Sequence, residues 1–404
     1  MDKVQIVCFF ITGFIVSRII VKSRLPEVII NYLISDRHLH LRSIIFIVTA
    51  FAAVLSFLIP NVIAVLTILP LAQKLAEIYP GDEKTKIKIS TALALSIIYG
   101  ANIGGMGSLT GTPANGIMLS FMTLNSVAGT DKITFSTWFI WGVPVVFMMT
   151  AVAWSVIILV FGLINGDSKL KVTLPPSGHS DSYVRKTVIL TIFYMLSSFL
   201  LSAVMIGYTA YSVQLTVLIL TIVITTGYLV YLFLMKSDNE NKKPMLTIRD
   251  CYSGLPMKGF LFVGISIALG GIFILLDAKA FMSDFLKDYL PAGAPGIPLL
   301  LIFALITTFA TELISNTAVQ IAMFLLLGSF GSDNEYLILG YLIVTYSSTS
   351  AFMSPIATGV NGLAFGGMGK VSLRKMLTAG FLMNISGAVI ITLWLKLVIH
   401  WLFF

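Results

Sequence analysis

Residues 311–320 read TELISNTAVQ. They lie near the middle of a stretch, Ile297 to Gly328, that is otherwise apolar and carries a single charge, Glu312. An ionisable residue inside such a stretch is a functional candidate. Two roles are open to Glu312: an acceptor that fixes the tip of a hairpin, or a proton carrier.

The rest of the chain extends this character. Of its 404 residues, 57% are hydrophobic and 11% charged, against about a quarter charged in a soluble protein. Several segments run for about 18 residues or more with almost no charge, enough to cross a bilayer. The chain reads as an all-α polytopic membrane protein. The first apolar run, Val4–Ile20, has no small-residue cleavage site after it and reads as a retained helix. Two cysteines, Cys8 and Cys251, give no disulfide framework, and no Cys/His cluster has metal-ligand spacing.

Spanning segments are expected near 4–21, 88–124, 138–164, 186–206, 210–235, 257–276, 335–369 and 376–399. Two further apolar stretches, 43–76 and 297–328, each carry a polar break at the middle. Cytoplasmic loops concentrate Lys and Arg, which decides whether these two cross or return. Arg18, Lys22, Arg24, Arg37 and Arg42 precede the first; Lys74, Lys84, Lys86 and Lys88 end or follow it. A crossing puts these groups on opposite faces, whereas a hairpin puts both inside. The second is flanked by Asp277, Lys279, Asp284, Lys287 and Asp288 and by Asp333 and Glu335, which read as outside loops. It is expected to be a hairpin entering from the other face. With both as hairpins, 21 of the 26 basic residues fall inside, and Lys3, Lys132, Lys279, Lys287 and Lys396 outside. The net charge of +8 is thus an orientation signal and not a nucleic-acid surface. It places both termini outside in a multi-pass protein of the plasma or inner membrane. Cys8 and Cys251 then lie toward opposite faces. His38, His40 and His179 fall in polar loops as ordinary solvated histidines, and Arg18 near a helix end reads as a snorkelling side chain.

An internal repeat follows. LIPNVIAV (58–65) stands beside LISNTAVQ (313–320), each with Leu-Ile-X-Asn at a hairpin centre. YGANIGGMGSLTGTPANGI (99–117) stands beside YSSTSAFMSPIATGVNGLA (346–364), both Gly/Ser/Thr-rich and both ending T-X-X-N-G. An odd number of crossings separates the copies, so their orientations are opposite. Paired interrupted segments in inverted repeats point to a transporter's site near the bilayer midplane. The expected organisation is a scaffold helix and interfacial segment over 1–42 and first-repeat elements over 43–166 (hairpin 43–76, broken helix 88–124, helix 138–164). Scaffold helices follow over 184–285, then second-repeat elements over 297–402 (hairpin 297–328, broken helix 335–369, helix 376–399). Unwound backbone supplies carbonyls for a hard cation, helix N-termini supply N–H groups for an anion, and Ser, Thr and Asn add uncharged polar groups. Such a site suits a cation-coupled anion carrier. Gly/Ser patches also serve as close-packing faces between membrane helices.

At these residues the chain resembles the divalent anion:sodium symporter family of the ion-transporter superfamily. TELISNTA resembles that family's outer hairpin motif, Ser-Asn-Thr, and GTPAN (111–115) and ATGVN (357–361) look like its two unwound loops. The resemblance implies one sodium site from Ser56, Asn61 and carbonyls near Pro60 and Gly111, and a second from Thr311, Asn316 and carbonyls near Ile314 and Ala357. It implies an anion between the hairpin tips, touching Asn61, Thr112, Ser315, Asn316, Thr317 and Thr358. It also implies sodium as the coupling ion, no other cofactor, a homodimer and an elevator-like movement. Two departures stand out. Pro60-Asn61-Val62 replaces Ser-Asn-Thr in the inner hairpin, which fits a monocarboxylate, an asymmetric ligand or a different ion better than a symmetric dicarboxylate. About three helices that usually precede the segment matching 4–21 are absent, as in a compact relative or an N-terminally shortened form.

The leading expectation is sodium-coupled uptake of a small carboxylate or inorganic anion. Cation/proton antiport, for which only Glu312 could serve as the acid, is the alternative. A membrane-embedded enzyme is disfavoured, since no nucleophile–base pair or phosphate loop lies in the apolar segments.

Overall fold

A computed structural model describes residues 2–35, 37–163, 169–171, 181–235, 244–252, 296–330 and 334–403. Helices make up most of it. The first half holds α1 (Asp2–Lys22), α2 (Leu25–Ile34), α3 (Leu41–Leu58), α4 (Asn61–Ile78), α5 (Glu83–Gly104), α6 (Pro113–Leu124) and α7 (Phe135–Phe161). Then come α8 (Asp181–Gly207), α9 (Tyr211–Phe233) and α10 (Ile248–Tyr252). The last group is α11 (Ile297–Ala310), α12 (Asn316–Phe330), α13 (Asn334–Thr349), α14 (Gly359–Gly367) and α15 (Leu373–Phe403). Among the described residues eight helices, α1, α3, α4, α5, α7, α8, α9 and α15, are long and apolar enough to cross a membrane. The span expected at 257–276 and His179 lie outside the described residues.

The all-α reading holds, with one correction to the reading of His38 and His40 as loop residues. β1 (His38–His40) pairs antiparallel with β2 (Lys169–Lys171), with His38 opposite Lys171. Strands this short show no alternation long enough to read in sequence.

The centre of the molecule is α5. Every residue from Ile89 to Gly104 is buried, and α3, α4, α7 and α14 pack around it. A Cβ at Gly100 would run into Thr49 O, and one at Gly104 into Ala53 O; small residues at this spacing let helix backbones approach closely. The pairs Thr49/Gly100, Ala53/Gly104 and Phe57/Gly107 step along together, so α3 and α5 run in the same direction. Between them α4 returns, entered at Pro60, whose missing N–H suits the start of a helix. The later helices repeat this. Thr308 Oγ1 donates to Ser347 O at 3.2 Å, and Phe352 N donates to Glu312 Oε1 at 2.7 Å. Hence α11 and α13 also run in one direction, with α12 joining the end of one to the start of the other. The 18-residue α3 and α4 each reach roughly 27 Å. The 14- and 15-residue α11 and α12 reach roughly 21–23 Å, short of a hydrocarbon core of about 30 Å.

A separate group forms where α1 packs on α8 and α9. Gln5 Nε2 donates to Thr221 Oγ1 at 3.2 Å, and Thr12 Oγ1 donates to Thr225 Oγ1 at 3.2 Å. Arg18 does not snorkel. It is 6% exposed and donates from Nε to Asp250 O at 2.9 Å, while Lys22 Nζ meets Asp250 Oδ2 at 2.7 Å. Both cations hold α10 against the end of α1, because a backbone carbonyl and a carboxylate within reach outcompete the path to solvent.

Candidate functional site

Both expected helix interruptions are present: α5 gives way to α6 across residues 105–112, and α13 to α14 across 350–358. The freed backbone is paired, and both breaks close in the same way. Asn115 Nδ2 donates to Ser108 O at 2.8 Å and Gly105 O at 3.1 Å, seven and ten residues earlier. Asn361 Nδ2 donates to Ser354 O at 2.8 Å and Ala351 O at 3.0 Å, again seven and ten residues earlier. Thr112 Oγ1 accepts from Ala114 N at 3.0 Å, and Thr358 Oγ1 accepts from Asn361 N at 3.1 Å. T-X-X-N is therefore a device: threonine caps the half-helix, and asparagine folds back onto carbonyls that the break leaves without helix partners.

At the first tip, Ser56 is fully buried, and its Oγ lies 2.6 Å from both Asn61 Oδ1 and Ala101 O. A hydroxyl has one proton to donate, so three oxygens converge on one proton. A Cβ at Gly105 would lie 3.0 Å from Asn61 Oδ1 and 2.8 Å from Thr112 Cγ2; one at Gly111 would lie 2.5 Å from Gly105 O. Ser56, Asn61, Gly111 and Thr112 thus gather at one place. Pro60 O accepts from Ile63 N at 2.8 Å and Ala64 N at 3.1 Å, which engages it in the first turn of α4. The carbonyl beside Ser56 is that of Ala101. Sequence reasoning missed it, since a carbonyl has no residue-type signature; its only trace is the Gly100/Gly104 spacing that lets α3 come close.

The second tip is more open. Thr311 is buried, and its Oγ1 donates to Thr308 O at 2.9 Å. Ile314 and Ser315 are exposed, while Asn316 and Thr317 are half-buried. Asn316 opens α12 as Asn61 opens α4, and no group among the described residues donates to its buried Oδ1. Ala357 N donates to Ser354 O at 3.3 Å, and Thr358 Oγ1 donates to Asn361 Oδ1 at 2.9 Å. Among the described hydrogen bonds, none joins Ser315, Asn316 or Thr317 to Asn61 or Thr112.

Glu312 is 1% exposed. Its Oε1 accepts from Phe352 N at 2.7 Å, Met353 N at 2.8 Å and Asn384 Nδ2 at 2.8 Å, and Oε2 accepts from Ser354 N at 2.7 Å. All four neighbours are donors. Of its two open roles the geometry favours the acceptor, and what it holds is the second break. At the matching step before Asn61 stands Phe57, which lies against Gly107; the Phe57 carbonyl accepts from Ser108 Oγ at 2.9 Å.

Links also cross between the halves. Gln73 Nε2 on α4 donates to Gly367 O of α14 at 2.7 Å; Gln320 Nε2 on α12 donates to Ala114 O of α6 at 2.8 Å. Each returning helix therefore grips the half-helix of the other half. Sequence reading singled out none of Gln73, Asn102, Gln320 and Asn384, because an amide on an apolar helix carries no sign of its distant partner.

Apolar spans, two interrupted helices and a buried oxygen cluster beside the first break define a multi-pass membrane protein. The model of the citrate transporter family (CitMHS) matches residues 3–341, and the chain belongs to that family. The sodium-dependent dicarboxylate transporter SdcS of Staphylococcus saprophyticus is 27% identical over 357 residues, covering 84% of this chain and 66% of the relative. The protein of the same name in Staphylococcus aureus is 27% identical over 363 residues, with the same coverage of 84% and 66%. An uncharacterized transporter of Methanocaldococcus jannaschii is 25% identical over 344 residues, covering 84% and 70%. The chain spans about two thirds of the length of the curated relatives it matches. These matches bear out the resemblance to sodium-coupled anion carriers read from TELISNTA.

Proposed function

We propose that the chain couples sodium to the uptake of a small carboxylate or inorganic anion across the cell membrane. The observation that carries this reading is the convergence of Ser56 Oγ, Asn61 Oδ1 and Ala101 O on one proton. Oxygens without fixed charge suit a hard cation. Asn61 and Thr112, which meet beside them, stand at the starts of α4 and α6, and helix N-termini favour an anion. Sodium would be held first by Ser56, Asn61 and carbonyls of Ala101 and near Gly111. A second ion would take Thr311, Asn316 and carbonyls near Ile314 and Ala357. The anion would lie between the tips, against Asn61, Thr112, Ser315, Asn316, Thr317 and Thr358.

The relatives' names supply sodium dependence and a dicarboxylate, and the family's name citrate. Pro60 and Val62 make the inner side less polar, which narrows the proposal toward an unsymmetrical or singly charged ligand. The matched arrangements of α3 with α5 and α11 with α13 support inverted repeats with re-entrant hairpins. The packing of α1, α8 and α9 on one another supports a scaffold against which the rest moves, elevator-like; that the chain works as a homodimer rests on the family resemblance. Antiport of protons would need an acid free to exchange them, and the four donors around Glu312 favour a fixed acceptor instead.

Melting of the purified protein against a panel of anions, with and without sodium, tests the reading, because a ligand stabilises only a state that binds it. Sodium should raise the melting temperature where potassium does not, and the right anion should add to it only with sodium present. Equal effects of the two cations, with no anion adding to either, would end the proposal.

A further inference from the structure

We propose that a cleft at the starts of α5 and α15 binds the phosphate of an anionic lipid headgroup. The cleft is about 370 Å³ and is lined by Lys84, Thr85 and Lys88 of α5, by Ser372 and Lys375 at the start of α15, and by Asp82. Neither the coupling ion nor the transported anion is involved, so the inference stands apart from the function proposed above.

The first argument is charge. Lys88 and Lys375 are half-buried, and Lys88 acts on Lys375 as a like charge. Among the described residues no acid pairs with either. Asp82 also lines the cleft and keeps its charge while capping α5, its Oδ1 accepting from Thr85 N at 2.9 Å, and Glu83 is paired with Lys370; three lysines therefore line the cleft with one carboxylate. Partly desolvated like charges in excess of their counter-charge are unfavourable; an anion between Lys88 and Lys375 lowers the cost.

The second argument is position. Lys375 Nζ lies 4.6 Å from the ring centre of Phe161, which fixes it at the end of α7. The cleft therefore sits where three apolar spans, α5, α7 and α15, begin or end, at headgroup depth. The charge rule places this end inside, where basic pockets between membrane helices take anionic headgroups. Lysine binds phosphate as a point charge. Ser372 Oγ accepts from Lys375 N at 3.4 Å and keeps its own proton to donate.

The test uses the full chain in a neutral detergent, with native mass spectrometry measuring lipid retained from mixed micelles. Phosphatidylglycerol should be retained and phosphatidylcholine not. Lys88→Gln combined with Lys375→Gln should weaken phosphatidylglycerol binding roughly thirtyfold, from about fivefold per lysine near an anionic surface. Lys88→Arg with Lys375→Arg should stay near wild type, which separates loss of charge from loss of fold. Inorganic phosphate is the third probe: retention of phosphate with no phosphatidylglycerol held overturns the lipid assignment. Equal retention of phosphatidylcholine, or undiminished binding by the glutamine pair, overturns the proposal as a whole.

Discussion

Asn102 donates its side-chain amide to Asn361 Oδ1 at 3.1 Å, across 259 residues of chain. The same nitrogen lies 2.9 Å from Ala351 O. The helix that ends in the first break therefore helps to close the second. Asn361 has both ends of its amide in use, with Oδ1 accepting from Asn102 and Thr358 and Nδ2 donating twice. A buried network satisfied to this degree rigidifies what it touches, so the two breaks hold their shapes jointly.

Glu312→Gln preserves the shape of the side chain but turns one oxygen into an N–H donor. In either orientation that donor faces Ser354 N, or else Phe352 N, Met353 N and Asn384. Leaving a buried donor unmet costs about 1–3 kcal/mol. The variant should melt clearly below wild type, and Glu312→Ala lower still. A glutamine variant with an unchanged melting temperature in detergent would show that the carboxylate does not anchor the break.

Gly104→Ala drives a Cβ into the backbone of Ala53, and backbone does not yield cheaply. Overpacking of this kind costs about 1–3 kcal/mol. Gly359→Ala is the control, since a Cβ there meets nothing within 4 Å. Fluorescence-detected size exclusion after heating should show early loss of the monodisperse peak for Gly104→Ala alone. Matching curves for the two variants would refute the close α3–α5 contact.

Asn61→Ala and Asn316→Ala should each abolish sodium-dependent uptake in a folded protein. Asn61 Oδ1 completes the oxygen cluster with Ser56, and Asn316 Oδ1 is buried with no donor among the described residues. Uptake measured in sodium against choline decides the matter. Transport that survives in both variants with its sodium dependence intact rules out the assigned ion sites.

Thr317→Val should weaken anion binding roughly ten- to a hundredfold, because a hydrogen bond to a charged group is worth about 1.5–3 kcal/mol. Val62→Thr, at the matching place in the first hairpin, should be near neutral for the native substrate or should improve a dicarboxylate. Equilibrium binding of a mono- and a dicarboxylate to both variants checks this. An unchanged affinity in Thr317→Val would mean that its hydroxyl faces away from the anion.

Cysteines introduced at Ser35 and Thr85 should label from the cytoplasmic face, and one at Ser332 from outside. The first two positions flank α3 and α4, and the proposed inner hairpin puts both on the same side. Labelling of Ser35 and Thr85 from opposite faces would exclude the inner hairpin and the inverted repeat with it.

Much of the architecture was legible in the sequence. Long apolar runs are a local signal, and they located the helices long enough to cross a membrane. Gly, Pro and Ser/Thr clusters inside apolar runs marked both breaks, since Pro removes a helix N–H and the polar side chains can satisfy the backbone that an interruption frees. T-X-X-N-G located the device that closes each break, though not that its asparagines hold the loop. Tertiary structure alone decided which partners the buried polar groups found. Ser56 met Ala101 O, Glu312 met three N–H groups of the second break, Asn102 reached Asn361, and Arg18 turned to Asp250. A buried amide or carboxylate must be satisfied, and sequence states that need. Any carbonyl or N–H within reach can meet it, however, and reach is set by the packing of helices far apart in the chain.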